Sequence, residues 1–284
     1  MTANAIYTQG WTLDDVRWSA FDGAKAEPWM IAAIKAAALV ELNAPDYVSY
    51  LKRVLKDDGP ETLAAIDQWG CEESQHGRAL GRWAEMADPT FSLDEAFKRF
   101  REGYKPAHFA DDETTSIRGS RRGEMIARCV VESGTSSYYS AMKEGTQEPV
   151  LQEIAGRIAA DEFRHYKLFF ETLQKQNEPD LPFLRKLWVA IGRVAESDDD
   201  ELAYAFYCAN VPASEVASKP YERKYYSRIA TYAGMRIYRR PHIAKLMQMV
   251  AMVIGAKPRG WLSRLATTAL WQVMSYRAAR AQAA

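Results

Sequence analysis

Two Glu-x-x-His motifs, Glu73–His76 and Glu162–His165, absorb half of the four histidines in this 284-residue chain. Each lies midway along a segment whose apolar residues recur with helical spacing, and positions i and i+3 of a helix share a face. Residues 61–86 and 150–176 therefore read as helices that each present a carboxylate beside an imidazole.

The flanking sequence supplies two partners for these helices. A first long helix is expected from Pro28, a favourable early helical position, through Ile31, Ile34, Ala38 and Leu42 to Leu55. Asp57, Asp58, Gly59 and Pro60 break it. Asp88 and Pro89 end the second helix, and residues 88–116 form a long connection with a short helix around 93–100. A third helix is expected over 117–143, a turn over 145–149 and the fourth helix after it. Two helical hairpins joined by a long crossover is the topology of ferritin-like bundles.

The register of the hairpins adds a stronger constraint. In an antiparallel hairpin, residues equidistant from the turn lie side by side. Glu41 and Glu73 are centred on residue 57, and Glu132 and Glu162 on residue 147; both centres fall in the turns. Each hairpin thus brings its glutamates and its histidine to one level, about 24 Å from its turn at ~1.5 Å per residue. Glu41 and Glu132 each sit among small or apolar neighbours, where a carboxylate is costly to bury unless paired or bound to a cation. Four carboxylates and two imidazoles at one level can neutralise two divalent ions and leave open coordination positions for O2. Iron or manganese fits this donor set, whereas structural zinc favours thiolate-rich closed sites.

Other residues are candidates to support the six ligands Glu41, Glu73, His76, Glu132, Glu162 and His165. Glu72 and Asp161 directly precede the glutamates of the two Glu-x-x-His motifs. Each can accept the free imidazole N–H of a histidine from the opposite hairpin, or remain a solvated charge. Arg164 is expected to pair with one of them. Thr135, one turn beyond Glu132, can donate to bound oxygen or bond back to its own helix. Pro45, four residues after Glu41, is expected to kink the first helix at the metal level. Trp69, Tyr138 and Tyr139 lie within two turns of candidate ligands and read as core aromatics ahead of a redox role, and His108 and His242 read as non-ligands.

Apolar content of 48% supports a real core, and no alternating Val/Ile runs indicate strands. The chain reads as all-α: an N-terminal extension over 1–27, the bundle over 28–180 and a helical C-terminal extension over 181–284. Helices are expected there near 183–194, 201–208, 225–254 and 261–280. Cys71, Cys129 and Cys208 show no CxxC spacing and read as buried thiols in a reducing compartment. With no basic, apolar leader and no span-length apolar run, the expected location is cytoplasmic.

The charge is segregated. Residues 223–284 carry twelve Lys and Arg and no carboxylate, so the remainder, with the other 25 basic and all 37 acidic residues, has a net charge of −12. The basic tail either neutralises the acidic bundle or meets an anionic partner, an acidic protein or lipid surface before nucleic acid. Its last helix interleaves Trp261, Leu262, Leu265, Leu270, Trp271 and Met274 with Arg264, Arg277 and Arg280, a composition that suits an interfacial helix or one packed on protein.

Residues 28–176 resemble the soluble acyl-[acyl-carrier-protein] desaturases of the ferritin-like di-iron class. Glu72-Glu73-Ser74-Gln75-His76-Gly77 is similar to that family's E-E-x-x-H-G motif, and Ile158-Ala159-Ala160-Asp161-Glu162-Phe163-Arg164-His165 to its I-A-A-D-E-x-R-H motif. Glu132 with Thr135 resembles its third-helix glutamate and threonine. The resemblance implies two irons on the six ligands and an O2-dependent oxidoreductase acting on C–H bonds, an acyl-chain desaturase or hydroxylase. Its electrons would come from an external ferredoxin- or flavin-reductase-type donor, since no nucleotide fingerprint or Fe–S cysteine set is present. An acyl carrier protein could dock on the basic tail, and a homodimer is expected. The alternatives are a ferritin- or rubrerythrin-like ferroxidase and a membrane-surface or scaffold protein.

Overall fold

A computed structural model describes residues 10–106, 115–195 and 200–282, and all regular structure among them is helical. His108 lies outside the described residues. The α-helices are α1 (Pro28–Leu42), α2 (Ala44–Val54), α3 (Pro60–Ala87), α4 (Leu93–Gly103), α5 (Arg121–Gly145), α6 (Pro149–Lys175), α7 (Phe183–Ala195), α8 (Asp200–Asn210), α9 (Arg223–Met235), α10 (Arg240–Val253) and α11 (Trp261–Gln282).

Local chemistry sets the ends of the central helices. Gly59 caps α3 at φ +90°, a left-handed conformation that favours glycine, and Pro60 opens the helix where its missing N–H costs nothing. Ser120 accepts from the Gly123 amide at 3.0 Å and starts α5, four residues later than the apolar pattern suggests. The buried Glu148 carboxylate caps α6, accepting from Leu151 N at 2.7 Å and from Trp83 Nε1 at 2.6 Å.

The first helix is broken, not kinked. α1 stops at Leu42, and Pro45 falls in the first turn of a separate helix, α2. There its absent N–H is one of the four that lack intrahelical partners in any case. The buried Asn43 between the two helices donates to Glu201 Oε1 at 3.0 Å. The expected helix over 225–254 divides for the same reason: Pro241 sits in the first turn of α10. Cys71 is exposed, contrary to the reading of all three cysteines as buried, because it lies on the solvent side of α3.

α5 and α6 form a closely packed pair, α1 packs on α3, and α3 packs on α6. The two ends of the chain close over these helices. α8 lies on α1, while α7 and α10 lie on α5 and α11 covers α10. At the other end, Trp11 and Val16 are buried in the central core, and Arg17 reaches Glu153 at 2.9 Å. No helix among the described residues is long and apolar enough to cross a membrane.

Candidate metal centre

The six predicted ligands converge in the core. Glu41, Glu73, His76, Glu132, Glu162 and His165 are all buried, His76 to 0% exposure. They form two donor groups: Glu41, Glu73, His76 and Glu162, and Glu73, Glu132, Glu162 and His165. In each group the four candidate ligand atoms lie within 4.8 Å of one another. Glu73 and Glu162 belong to both, so the groups are contiguous and share two carboxylates.

Helix spacing brings the ligands together. Glu73 and His76 lie one turn apart on α3, and Glu162 and His165 on α6. Gly77 admits α1 to the site. A Cβ at Gly77 would fall 2.6 Å from Leu42 Cγ and 2.8 Å from the Leu42 backbone nitrogen. Only a bare backbone lets α1 approach α3 closely beside Glu41.

The imidazoles are oriented from behind. His76 Nε2 lies 3.0 Å from Asp161 Oδ2, and His165 Nε2 lies 2.8 Å from Glu72 Oε2. A carboxylate only accepts, which assigns the proton to Nε2 and leaves each Nδ1 turned into the site. Each histidine is therefore gripped by the acid that precedes the glutamate of the other Glu-x-x-His motif. Arg164 links the two acids, reaching Glu72 at 3.3 Å and pairing with Asp161.

The inner atoms lack comparable partners. His76 Nδ1 lies 3.2 Å from Glu162 Oε1, and His165 Nδ1 lies 3.0 Å from Glu73 Oε1. Even so, both Nδ1 atoms and Glu162 Oε1 are buried without an aligned hydrogen bond. Buried polar atoms at this density are costly unless something binds them.

The electrostatics agree. Burial, then the charge of Glu73, pushes the Glu41 carboxyl well above the usual range; burial, then Glu162, does the same to Glu132. Burial acts in the same sense on Glu162, but His165 and His76 outweigh it and hold that carboxyl well below its usual range. For His76, burial disfavours the cation, yet Asp161 and Glu162 prevail and raise it to about 9. Raised carboxyls and imidazoles at these positions favour a bound proton or a cation there. The orphaned nitrogens, the shared carboxylates and the all-O/N donor chemistry fit divalent metal ions.

Thr135 does not conform to either expected role alone. Its hydroxyl donates to Glu162 Oε2 at 2.6 Å, while the helix carbonyls of Val131 and Glu132 lie at 3.3 Å. Two further residues join the site: Tyr139, expected mainly as a core aromatic near the ligands, and Trp11, which no local sequence signal marks. Tyr139 OH donates to Glu41 Oε1. Trp11 Nε1 donates to Asp161 Oδ2 at 2.8 Å, and its ring stacks on His76 with centroids 6.1 Å apart. Tyr138 packs against Tyr139, and Trp69 edge-on to Phe169, as core aromatics. His242 lies away from the centre, with Nε2 3.2 Å from Glu144 and Nδ1 accepting from the Arg239 amide.

Set beside known proteins, the chain matches no family model and no curated sequence.

Proposed function

We propose that α1–α3, α5 and α6 constitute a ferritin-like bundle with its crossover through α4, and that the chain is an O2-dependent di-iron oxidoreductase acting on C–H bonds. The observation that carries this reading is the pair of four-donor groups sharing Glu73 and Glu162, each completed by one imidazole fixed from behind by a carboxylate. Glu41 and His76 would serve one ion, Glu132 and His165 the other, with Glu73 and Glu162 common to both. Two bound irons supply the redox equivalents and Lewis acidity for reducing O2 beside a substrate C–H bond.

The chain's own contribution is positional and protonic. Asp161 and Glu72 hold the imidazoles in one tautomer. Thr135 holds a proton on Oγ1 at 2.6 Å from Glu162, and Tyr139 holds one on its hydroxyl at Glu41. The resemblance to acyl-[acyl-carrier-protein] desaturases makes an acyl chain the substrate class. Removing two hydrogens from it while O2 becomes two waters requires two further electrons and two protons, supplied by an external ferredoxin- or flavin-reductase-type donor.

Metal analysis of the purified protein tests this, combined with optical spectra of the ferrous-loaded form before and after air. Two irons per chain and a new charge-transfer band are expected. Metal content unchanged in His76→Ala and His165→Ala would sink the reading. Ferrous oxidation accompanied by a shell-sized oligomer would favour a ferroxidase instead.

A further inference from the structure

α10 and α11 carry a basic surface that the metal centre does not use. A cleft of about 460 Å³ opens between them, lined by Arg240, Arg259 and Arg264 with the hydroxyl-bearing Ser263, Thr267 and Thr268. Neutral acceptors hold two of these guanidinium groups. Arg264 donates to the Arg259 carbonyl at 3.3 and 3.2 Å, and Arg240 to Thr268 Oγ1 at 3.1 Å. Among the described residues none of the three arginines forms an ion pair, and neither do Lys245 and Lys257 nearby. The adjacent carboxylates are engaged elsewhere: Glu144 with His242 and Arg239, Asp180 with Lys186 and Arg122. Three uncompensated guanidinium groups around one cleft repel each other until an anion enters.

The same surface is apolar where it faces water. α11 packs the half-buried Leu270, Trp271 and Met274 against the cluster that holds Ile243, Leu246 and Met247 of α10, yet its opposite side exposes Trp261 (75%), Leu265, Val273 and Tyr276. Leu265 directly follows Arg264, and Trp261 lies two residues after Arg259. α7 begins beside the same loop: a Cβ on Gly255 would lie 4.0 Å from Lys186 Nζ. That helix exposes Leu184, Trp188 and Ile191, one stripe at helical spacing.

We propose that the α10–α11 face binds an anionic phospholipid bilayer peripherally, with lipid phosphates in the arginine cleft and Trp261 and Leu265 at the acyl boundary. The charge is complementary, since residues 223–284 contain no carboxylate to repel such a surface. A bilayer also accepts what an acidic protein would not: a whole helix face of aromatic and aliphatic side chains flanked by cations. This inference does not depend on the metal reading.

Co-sedimentation of the full chain with vesicles tests it, using phosphatidylcholine alone and phosphatidylcholine mixed with phosphatidylglycerol. Binding is expected to the mixed vesicles only and to weaken with salt. The triple variant Arg240→Gln, Arg259→Gln, Arg264→Gln should partition about a hundredfold more weakly, at roughly fivefold per cation. Trp261→Ser with Leu265→Ser should weaken binding at every salt concentration. All five positions lie far from the metal ligands in sequence and on the surface, so helicity and metal content serve as folding controls. Absence of binding to any vesicle would overturn the proposal, and so would displacement by inorganic phosphate at concentrations comparable with the lipid phosphate. A dimer that buries Trp261 and Leu265 would overturn it too, by assigning the face to a second copy.

Discussion

Asp161 Oδ2 sits 3.0 Å from His76 Nε2, although the two residues lie on different helices, α6 and α3. His165 and Glu72 repeat the relationship in the opposite sense at 2.8 Å. The exchange ties the helices together behind the candidate ligands and leaves each Nδ1 turned into the site. Outer partners of this kind are worth about 10–100-fold in metal affinity. Asp161→Ala and Glu72→Ala are each expected to weaken iron binding by about that factor while leaving all six ligands in place. Competition with a chelator of known affinity measures it. Unaltered affinity in both variants would reduce the two acids to partners of Arg164.

Gly77 is expected to tolerate no side chain. A methyl group there meets Leu42 backbone nitrogen at 2.8 Å and Ala38 oxygen at 2.9 Å, and backbone atoms yield only if α1 moves. Gly77→Ala should destabilise the protein by about 1–3 kcal/mol, the usual cost of overpacking. Because α1 carries Glu41, it should also lower metal occupancy more than an equally destabilising change away from the α1–α3 contact. Denaturation midpoints and metal-to-protein ratios measured together distinguish the two effects.

Trp11 makes the N-terminal extension part of the centre. It is buried, donates to Asp161, stacks on His76, and its carbonyl accepts from Gln75 Nε2 at 2.7 Å. Trp11→Ala should cost about 3–5 kcal/mol, as expected for truncating a buried tryptophan. Trp11→Phe retains most of the packing and loses only the N–H to Asp161. Its expected effect is a smaller loss of stability with a measurable drop in iron affinity, read by the same chelator competition. Equal stability losses in the two variants would place the whole role in the hydrogen bond.

How legible these features were depends on the range over which each acts. Glu73 with His76, and Glu162 with His165, are one helical turn apart, and antiparallel pairing about a short turn carries their level to Glu41 and Glu132. Glu72 and Asp161 were readable because adjacency to a ligand leaves few directions for their carboxylates. Pro45 was ambiguous because a kink within one helix and the first turn of a new helix both accommodate proline, and only the packing around Asn43 and Glu201 decides between them. Tyr139 lies 98 residues from its partner Glu41, and Trp11 lies 150 residues from Asp161. Tyr139 is marked only by its place two turns after Glu132, which does not reveal Glu41 as its partner, and nothing periodic marks Trp11. The double-sided character of α11 is similarly tertiary: its composition shows apolar residues all round, but not which of them α10 covers.

Metal uptake should release protons, with a pH dependence set by the imidazoles. In the metal-free centre Asp161 and Glu162 overcome the effect of burial and raise His76 to about 9 from an ordinary 6.5, and His165 shifts in the same direction. The raised values favour protons on the Nδ1 atoms that a metal needs and on the Glu41 and Glu132 carboxyls, and metal binding must displace them. Iron affinity should rise between neutral pH and about 9 and flatten above it, and loading in weak buffer should acidify the solution. Folding of the metal-free protein should respond in the opposite sense. A histidine whose folded value is raised contributes stability that is complete below 6.5 and lost as pH climbs through 9, and carboxyls raised by burial lose theirs in the same direction. Chelator-treated protein should thus become less stable from neutral to alkaline pH, while iron-loaded protein, whose ligand protons have already gone, should not. Denaturant titrations of both forms across that range measure the difference. Parallel stability curves would mean that protons and metal do not compete for these six side chains.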